Sequence, residues 1–242
     1  MAFWDRLFGK GKIKNTGRHE DNPGQNERSP IIHNYISGLR DAYIQNNGGE
    51  KWEHFEKVIH GAKKGNIDRV RNAYPETPSA LINLLEFVDG TYWRKYKEEE
   101  ITFFLLGSDV DEYPYYLLSS EEIAKNRNNA KEYFSYYIDR EYDGVEIDDR
   151  ITNKSDSINW LHFSDCMNNG GTSSLFIDFS PSEIGKKGQV VRFLHDPDEL
   201  KVIAESFEDY LNYLIENGYN FEDIDEEVLN IGSTQNQSDI ID

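Results

Sequence analysis

The sequence predicts an α+β fold: a single, mostly antiparallel twisted sheet flanked by helices and completed by a C-terminal amphipathic helix. Three observations predict it. Helical periodicity fills the stretch up to Asp89-Gly90, and short aromatic strand-like runs follow from Ile101 onward. The later runs are joined by a lysine-rich turn, Gly185-Lys186-Lys187-Gly188, which favours antiparallel pairing over regular βαβ winding. Near the C-terminus, Ile203, Phe207, Tyr210, Leu211 and Leu214 fall on one face of a helical pattern over Glu199–Asn217.

The elements follow in order. Residues 1–28 form a basic aromatic leader and a linker. Phe3, Trp4, Leu7 and Phe8 share one helical face, ahead of Lys10, Lys12 and Lys14. They suit either a weak contact with an anionic membrane surface or docking on the domain. The folded domain is expected over 29–219. Ser29-Pro30 supplies an N-cap and a proline at the first helical position. That helix carries Ile31, Tyr35, Leu39 and Ala42 and stops at Gly48-Gly49. Trp52, Phe55 and Ile59 recur at helical spacing. Tyr74-Pro75-Glu76-Thr77-Pro78 leads into a helix whose stripe is Leu81, Leu84, Leu85 and Val88. Strands are expected at Ile101–Leu106, Tyr115–Leu118, Trp160–Phe163, Ser174–Phe179 and Gln189–Leu194. Ser119 with Glu122 makes a capping box that opens a helix to about Ile138. Residues 139–157 read as an acidic loop. Residues 220–242 read as a disordered acidic tail; from Glu205 onward there are eleven acids and no Lys or Arg.

Charge bounds the partners. Net charge is −19 at neutral pH, which repels phosphate and anionic lipid and attracts basic proteins. Nucleic-acid binding needs a basic stripe, and the folded part has none. One cysteine, Cys166, excludes a disulfide framework within the chain. The longest apolar run, Ile101–Leu106, is far short of the roughly 20 residues of a membrane span. With no secretory signal visible, the expected location is cytoplasmic.

Motifs for chemistry are sparse. No G-x-S-x-G elbow, H-E-x-x-H helix or Walker loop is present. His195-Asp196-Pro197-Asp198 sets a base beside carboxylates. It also reads as a strand end turning into the last helix, with Asp196 or Asp198 near a helix N-terminus. Cys166 has no adjacent His or Lys to activate it, so an inert thiol is expected. Asp139-x-Glu141-x-Asp143-Gly144 has the spacing that opens a calcium loop, but the twelfth position is Arg150 rather than Glu. No catalytic residue, metal or cofactor is therefore expected. The candidate partner-binding residues are Asp109, Asp111, Glu112, Tyr113, Tyr115 and Tyr116, with Asp139, Glu141, Asp143, Glu146, Asp148 and Asp149. Tyrosines make good interface anchors, and carboxylates around them select a basic partner. The tyrosines of 113–116 equally suit folding back onto the core.

Several ordered features carry a family resemblance. They are Trp52 in an early helix, then Tyr74-Pro75 and Pro78 leading to Leu81–Val88 and the Asp89-Gly90 turn. A C-terminal block then runs from Gly170-Gly171 through Asp178-Phe179-Ser180-Pro181, Gly185, Gly188-Gln189-Val190-Val191 and His195-Asp196 to Ile203-Ala204-Glu205-Ser206-Phe207. In this order they resemble the SUKH superfamily of Smi/Knr-like cell-wall regulators and bacterial immunity proteins, over about residues 50–217. The resemblance implies a compact α+β domain that binds other proteins, with Trp52, Pro75, Gly90, Gly170, Gly171, Asp178, Pro181, Gly188 and Phe207 defining the fold. It implies an immunity protein that neutralises a toxin, possibly a nuclease, by stoichiometric binding. The alternative is an intracellular regulator or scaffold of cell-wall synthesis or signalling. In either case the partner is a basic protein.

Overall fold

The computed structural model describes residues 29–110, 114–168 and 171–220. The leader, the linker, the tail beyond Asn220, and Asp111, Glu112, Tyr113 and Gly170 lie outside the described residues.

Four helices come first: α1 (Pro30–Gln45), α2 (Gly49–Val58), α3 (Lys64–Ala73) and α4 (Ser79–Phe87). A small hairpin follows, β1 (Arg94–Tyr96) and β2 (Glu99–Ile101). Then come β3 (Tyr116–Leu117), α5 (Ser120–Lys125), α6 (Asn129–Ile138) and β4 (Glu146–Ile147). The long strands are β5 (Trp160–Asn168), β6 (Gly171–Asp178), β7 (Gln189–Leu194) and β8 (Glu199–Ala204), and α7 (Phe207–Glu216) closes the order. The main sheet has the order β3-β5-β6-β7-β8-β4. Every pairing is antiparallel except β4 with β8, so the sheet is mostly antiparallel, as the tight turns imply.

Both faces of this sheet are covered. On one, Leu161, Phe163, Leu175, Ile177 and Val190 pack against Leu81, Leu84 and Leu85 of α4 and Phe207, Leu211 and Leu214 of α7. On the other, Trp160, Phe176, Val191, Phe193, Leu200 and Val202 pack against Ala130, Phe134 and Ile138 of α6. Covering on both faces explains why residues 189–193 are buried at every position rather than at alternate ones. Each large apolar side chain withdrawn from water contributes about 2 kcal/mol.

Several elements differ from their sequence expectation. The helix expected over Glu199–Asn217 starts only at Phe207, capped by the Ser206 hydroxyl, which accepts the Asp209 N–H. Its first third is strand β8, because Leu200 and Val202 alternate onto the α6 face and pair with β7. Asp196 and Asp198 therefore sit in a hairpin turn and not at a helix start. The expected strand at Ile101–Leu106 survives only as Ile101 in β2 and a bridge from Leu106 to Tyr115. Between them the backbone is irregular, and α1 supplies partners: the Tyr43 hydroxyl donates to the Phe104 carbonyl and that of Tyr35 to the Leu105 carbonyl, both at 2.7 Å. The single helix expected from Ser119 to Ile138 is two, broken at Asn126–Asn128. Its capping box is present, with Ser119 and Glu122 bonded reciprocally. Helix α3, absent from the sequence reading, buries only Ile67 and Val70 and so leaves little periodic signal.

Of the residues named as fold-defining, those among the described residues are placed as follows. Trp52 is buried against Tyr43, Phe55 and Phe103. Gly90 has φ +92° and its Cα faces the Ser119 backbone so closely that a Cβ would lie 2.8 Å from the Ser119 nitrogen. Gly188 has φ +89° at the end of the turn before β7. Pro75 lies in the turn after α3, Gly171 opens β6, and Pro181 packs beside Gly185. Asp178 is fully buried; it accepts from Ser180 and from the Gln189 side chain, and burial pushes its carboxyl above the ordinary value. Phe207 is fully buried at the start of α7.

Candidate functional site

Helix α6 is too short to cover its whole face of the sheet. Beside it a groove of about 500 Å³ opens, lined from the sheet by His162, Asp165, Ser174, Phe176, Phe193, His195 and Asp198. The helical wall is Asn126, Asn129, Tyr133, Phe134 and Tyr137. That volume, aromatic lining and small set of converging polar groups are the usual properties of a binding cleft.

Strand irregularity builds the first polar cluster. Residues three apart on a regular strand point to opposite faces. The register of β5 against β6 jumps between His162 and Ser164, so His162 stands opposite Phe176 while Asp165 stands opposite Ser174. The bulge thus turns His162 and Asp165 onto one face, where Nε2 and Oδ1 are 2.6 Å apart. The Ser174 hydroxyl donates to the same Oδ1 at 2.7 Å. Asn126 Nδ2 lies 3.4 Å from His162 Nδ1, and the imidazole stacks on Phe176. Asp165 on one ring nitrogen and Asn126 on the other fix the orientation of the imidazole. His162 is buried, at 7% exposure.

The second cluster sits at the β7–β8 turn. His195 Nδ1 meets Asp198 Oδ1 at 3.1 Å, and the Tyr137 hydroxyl donates to Asp198 Oδ2 at 2.5 Å. That hydrogen bond to a carboxylate is the main reason the Tyr137 phenol is pushed up to about 12. Phe134, Phe176 and Phe193 lie between the two clusters, with Phe134 4.7 Å from Phe193 and 5.6 Å from Phe176.

The chemistry open to this arrangement is limited. Ser174 donates to Asp165 and not to an imidazole, so His162 does not take its proton, and the hydroxyl is not set up as a nucleophile. The two His–Asp pairs remain separate, and among the described residues no three His, Cys, Asp or Glu groups converge as metal ligands would. Cys166 is fully buried, and burial with the neighbouring Asp165 raises its thiol to about 12. What the groove does offer is a hydrogen-bonding and aromatic receptor whose lining contains two carboxylates and no Lys or Arg.

The residues named from sequence are dispersed. Tyr115 and Tyr116 are buried, the first fully, so they serve the core and not an outer surface. Asp109 is paired with Arg192 and Lys201. Burial pushes its carboxyl up, but those two cations outweigh it and hold it below the ordinary range. Asp139 accepts from Ser155 N–H and Oγ, which lowers its pKa and fixes the short 3₁₀ turn at Ser155–Ser157. Asp148 is bonded to Arg150, whose pull outweighs burial and lowers its pKa. Glu141, Asp143, Glu146 and Asp149 are exposed. Among the described residues, the exposed tyrosines are Tyr133, Tyr136 and Tyr142, on α6 and the loop after it. Sequence reading missed them because an amphipathic helix shows which positions are apolar, not which aromatic positions lie outside its buried stripe. His162 was visible only as a strand histidine, since its partner lies across a bulge that no local pattern announces.

A family model, that of the SMI1/KNR4 family (SUKH-1), matches residues 61–213. The match spans α3 to α7 and both clusters of the groove, and leaves Trp52 just outside. No curated protein matches the chain. No helix among the described residues is long and apolar enough to cross a membrane.

Proposed function

We propose that this chain, which belongs to the SMI1/KNR4 family (SUKH-1), is a non-catalytic protein-binding domain that captures a basic partner one to one, the partner being a toxin domain that it neutralises. One observation carries this reading. Tyr133, Tyr136 and Tyr142 stand exposed beside Glu132, Glu141, Asp143, Glu146 and Asp149, on α6 and the segment leading through β4. Large rigid aromatics left in water next to exposed acids are the composition of an interface that recognises a cationic protein. The net charge of −19 adds long-range attraction to such a partner. Tyr133, Tyr136 and Tyr137 lie three and four positions apart on α6, and Tyr137 stacks on Tyr142 with ring centroids 5.6 Å apart, which sets these side chains along one strip.

Co-expression with toxin domains encoded beside this gene tests the reading. The expected result is rescue of growth and a one-to-one complex. Tyr136→Ala and Tyr142→Ala should each weaken the complex by about tenfold, a loss of over 1 kcal/mol. Association should slow markedly between low and physiological salt. Recovery of cell-wall or signalling proteins instead of a toxin would favour the regulator reading. A complex indifferent to both tyrosines and to salt would refute the acidic aromatic face.

A further inference from the structure

Several acids among the described residues are paired with arginine or lysine. Asp89 meets Arg94, Asp109 meets Arg192 and Lys201, Glu199 meets Arg192, and Asp148 meets Arg150. Asp165 and Asp198 meet none of these cations. Their side chains are 15% and 21% exposed, and their hydrogen bonds come from imidazoles and from the hydroxyls of Ser174 and Tyr137. Asp178 and Glu122 also have no cation among the described residues, but Asp178 is sealed from solvent and Glu122 is used in the capping box of α5, whereas these two face the groove. Asp165 takes both of its hydrogen bonds on Oδ1, so Oδ2 has no hydrogen bond among the described residues. A half-desolvated carboxylate with no Lys or Arg beside it, facing an open groove, attracts an entering cation strongly.

From this geometry we infer that the groove between α6 and the sheet receives an arginine-bearing segment of the protein partner, with one guanidinium at Asp165 and a second cationic group at Asp198. The inference deepens the protein-binding reading and rests on it for the source of the arginine. Arginine is favoured over lysine by the lining. A planar guanidinium stacks against Phe176 and Phe134 while donating in its plane to the open oxygen of Asp165, and a compact ammonium gains little from ring faces. The two acids flank the aromatic floor. Asp165, Ser174 and Phe193 occupy neighbouring positions on three adjacent strands, and Asp198 lies beyond Phe193 on the next turn, so the acids are roughly 10–15 Å apart. One side chain cannot reach both, whereas an extended segment spans them. Tyr133 stands at the groove wall and also on the exposed tyrosine strip, which makes the groove continuous with the proposed face.

The test uses N-acetyl-arginine amide, N-acetyl-lysine amide and the uncharged N-acetyl-norleucine amide as probes of the full chain. The imidazole NMR signals of His162 and His195 provide the readout. The arginine probe should shift them saturably with a Kd on the order of 1 mM, as expected for a fragment of its size. The norleucine and lysine probes should bind at least about tenfold more weakly. Asp165→Asn keeps an acceptor for His162 and Ser174 and should weaken the arginine probe about tenfold. Tyr136→Ala, outside the groove, should leave probe binding unchanged. Equal binding of the norleucine probe, equal binding of the lysine probe, or indifference to Asp165→Asn would each overturn the inference. So would a partner complex whose affinity is untouched by Asp165→Asn with Asp198→Asn. Because the probes need no partner, probe binding without any toxin capture would sink the proposed function and leave the arginine groove standing.

Discussion

Arg192 is the most heavily committed charge in the fold, and its replacement tests how the domain manages its acids. The side chain is 1% exposed, with Nε 2.5 Å from Asp109 Oδ1 and Nη2 on Glu199 Oε2. Arg192→Met keeps much of the apolar stem but removes the guanidinium. Asp109 would retain Lys201 at 2.7 Å, whereas Glu199 would lose its arginine. Breaking a buried pair from one side costs about 3–5 kcal/mol. Here the acids are 15% and 24% exposed and one keeps a lysine, which puts the cost at the lower end, about 3 kcal/mol. In urea the midpoint should fall by between about 1 and 2 M. Adding Glu199→Gln to Arg192→Met should recover part of that loss, because the stranded charge is then gone. The pH dependence has a fixed sign. Asp109 is held below its ordinary value in the folded state, so its contribution is complete above about pH 4 and is lost as pH falls through the folded value. The gap between wild type and Arg192→Met should therefore narrow in acid. A loss under about 1 kcal/mol at neutral pH, or a gap that widens on acidification, would refute this account of the cluster.

Other expectations follow from single contacts. Ser119→Ala should cost about 1 kcal/mol in chemical denaturation by opening the capping box of α5. Gly90→Ala should cost more, about 2 kcal/mol, because its φ of +92° strains any side chain and the added Cβ would meet the Ser119 backbone. Cys166 should resist a thiol reagent in the native protein and react only on unfolding, since its thiol is both buried and raised to about 12. Tyr137 should titrate near 12 in the intact protein and move down toward the usual tyrosine value of about 10 in Asp198→Asn, read by the NMR shifts of its ring.

Where the chain repeats a pattern that only one structure can satisfy, the sequence sufficed. The Leu81, Leu84 and Leu85 stripe and the run at Gln189–Leu194 became the elements they announce, and the Ser119–Glu122 box opens a helix, though one that ends at Lys125. Where a pattern fits two structures, tertiary pairing decided. Leu200, Ile203 and Phe207 have helical spacing, yet Leu200 and Val202 also have strand spacing, and the open edge of β7 selected the strand. The aromatic run after Ile101 has strand composition but no strand partner along most of its length. Tyrosine hydroxyls from α1 satisfy its carbonyls instead, a long-range arrangement that no local window contains.

The groove was harder to read because its parity is wrong for a strand. His162 and Asp165 belong on opposite faces by alternation, and only the extra residue at the bulge reunites them. The same applies to the charge. A net of −19 suggests acid spread everywhere, but Asp109, Asp148 and Glu199 are paired internally with arginine, whereas Glu141, Asp143, Glu146 and Asp149 face solvent. Asp165 and Asp198 fall in neither set. An acid placed for stability alone gains most from a guanidinium, which the fold supplies repeatedly within the same sheet. Asp165 and Asp198 are held instead by imidazoles and hydroxyls, beside aromatic rings at the wall of the groove.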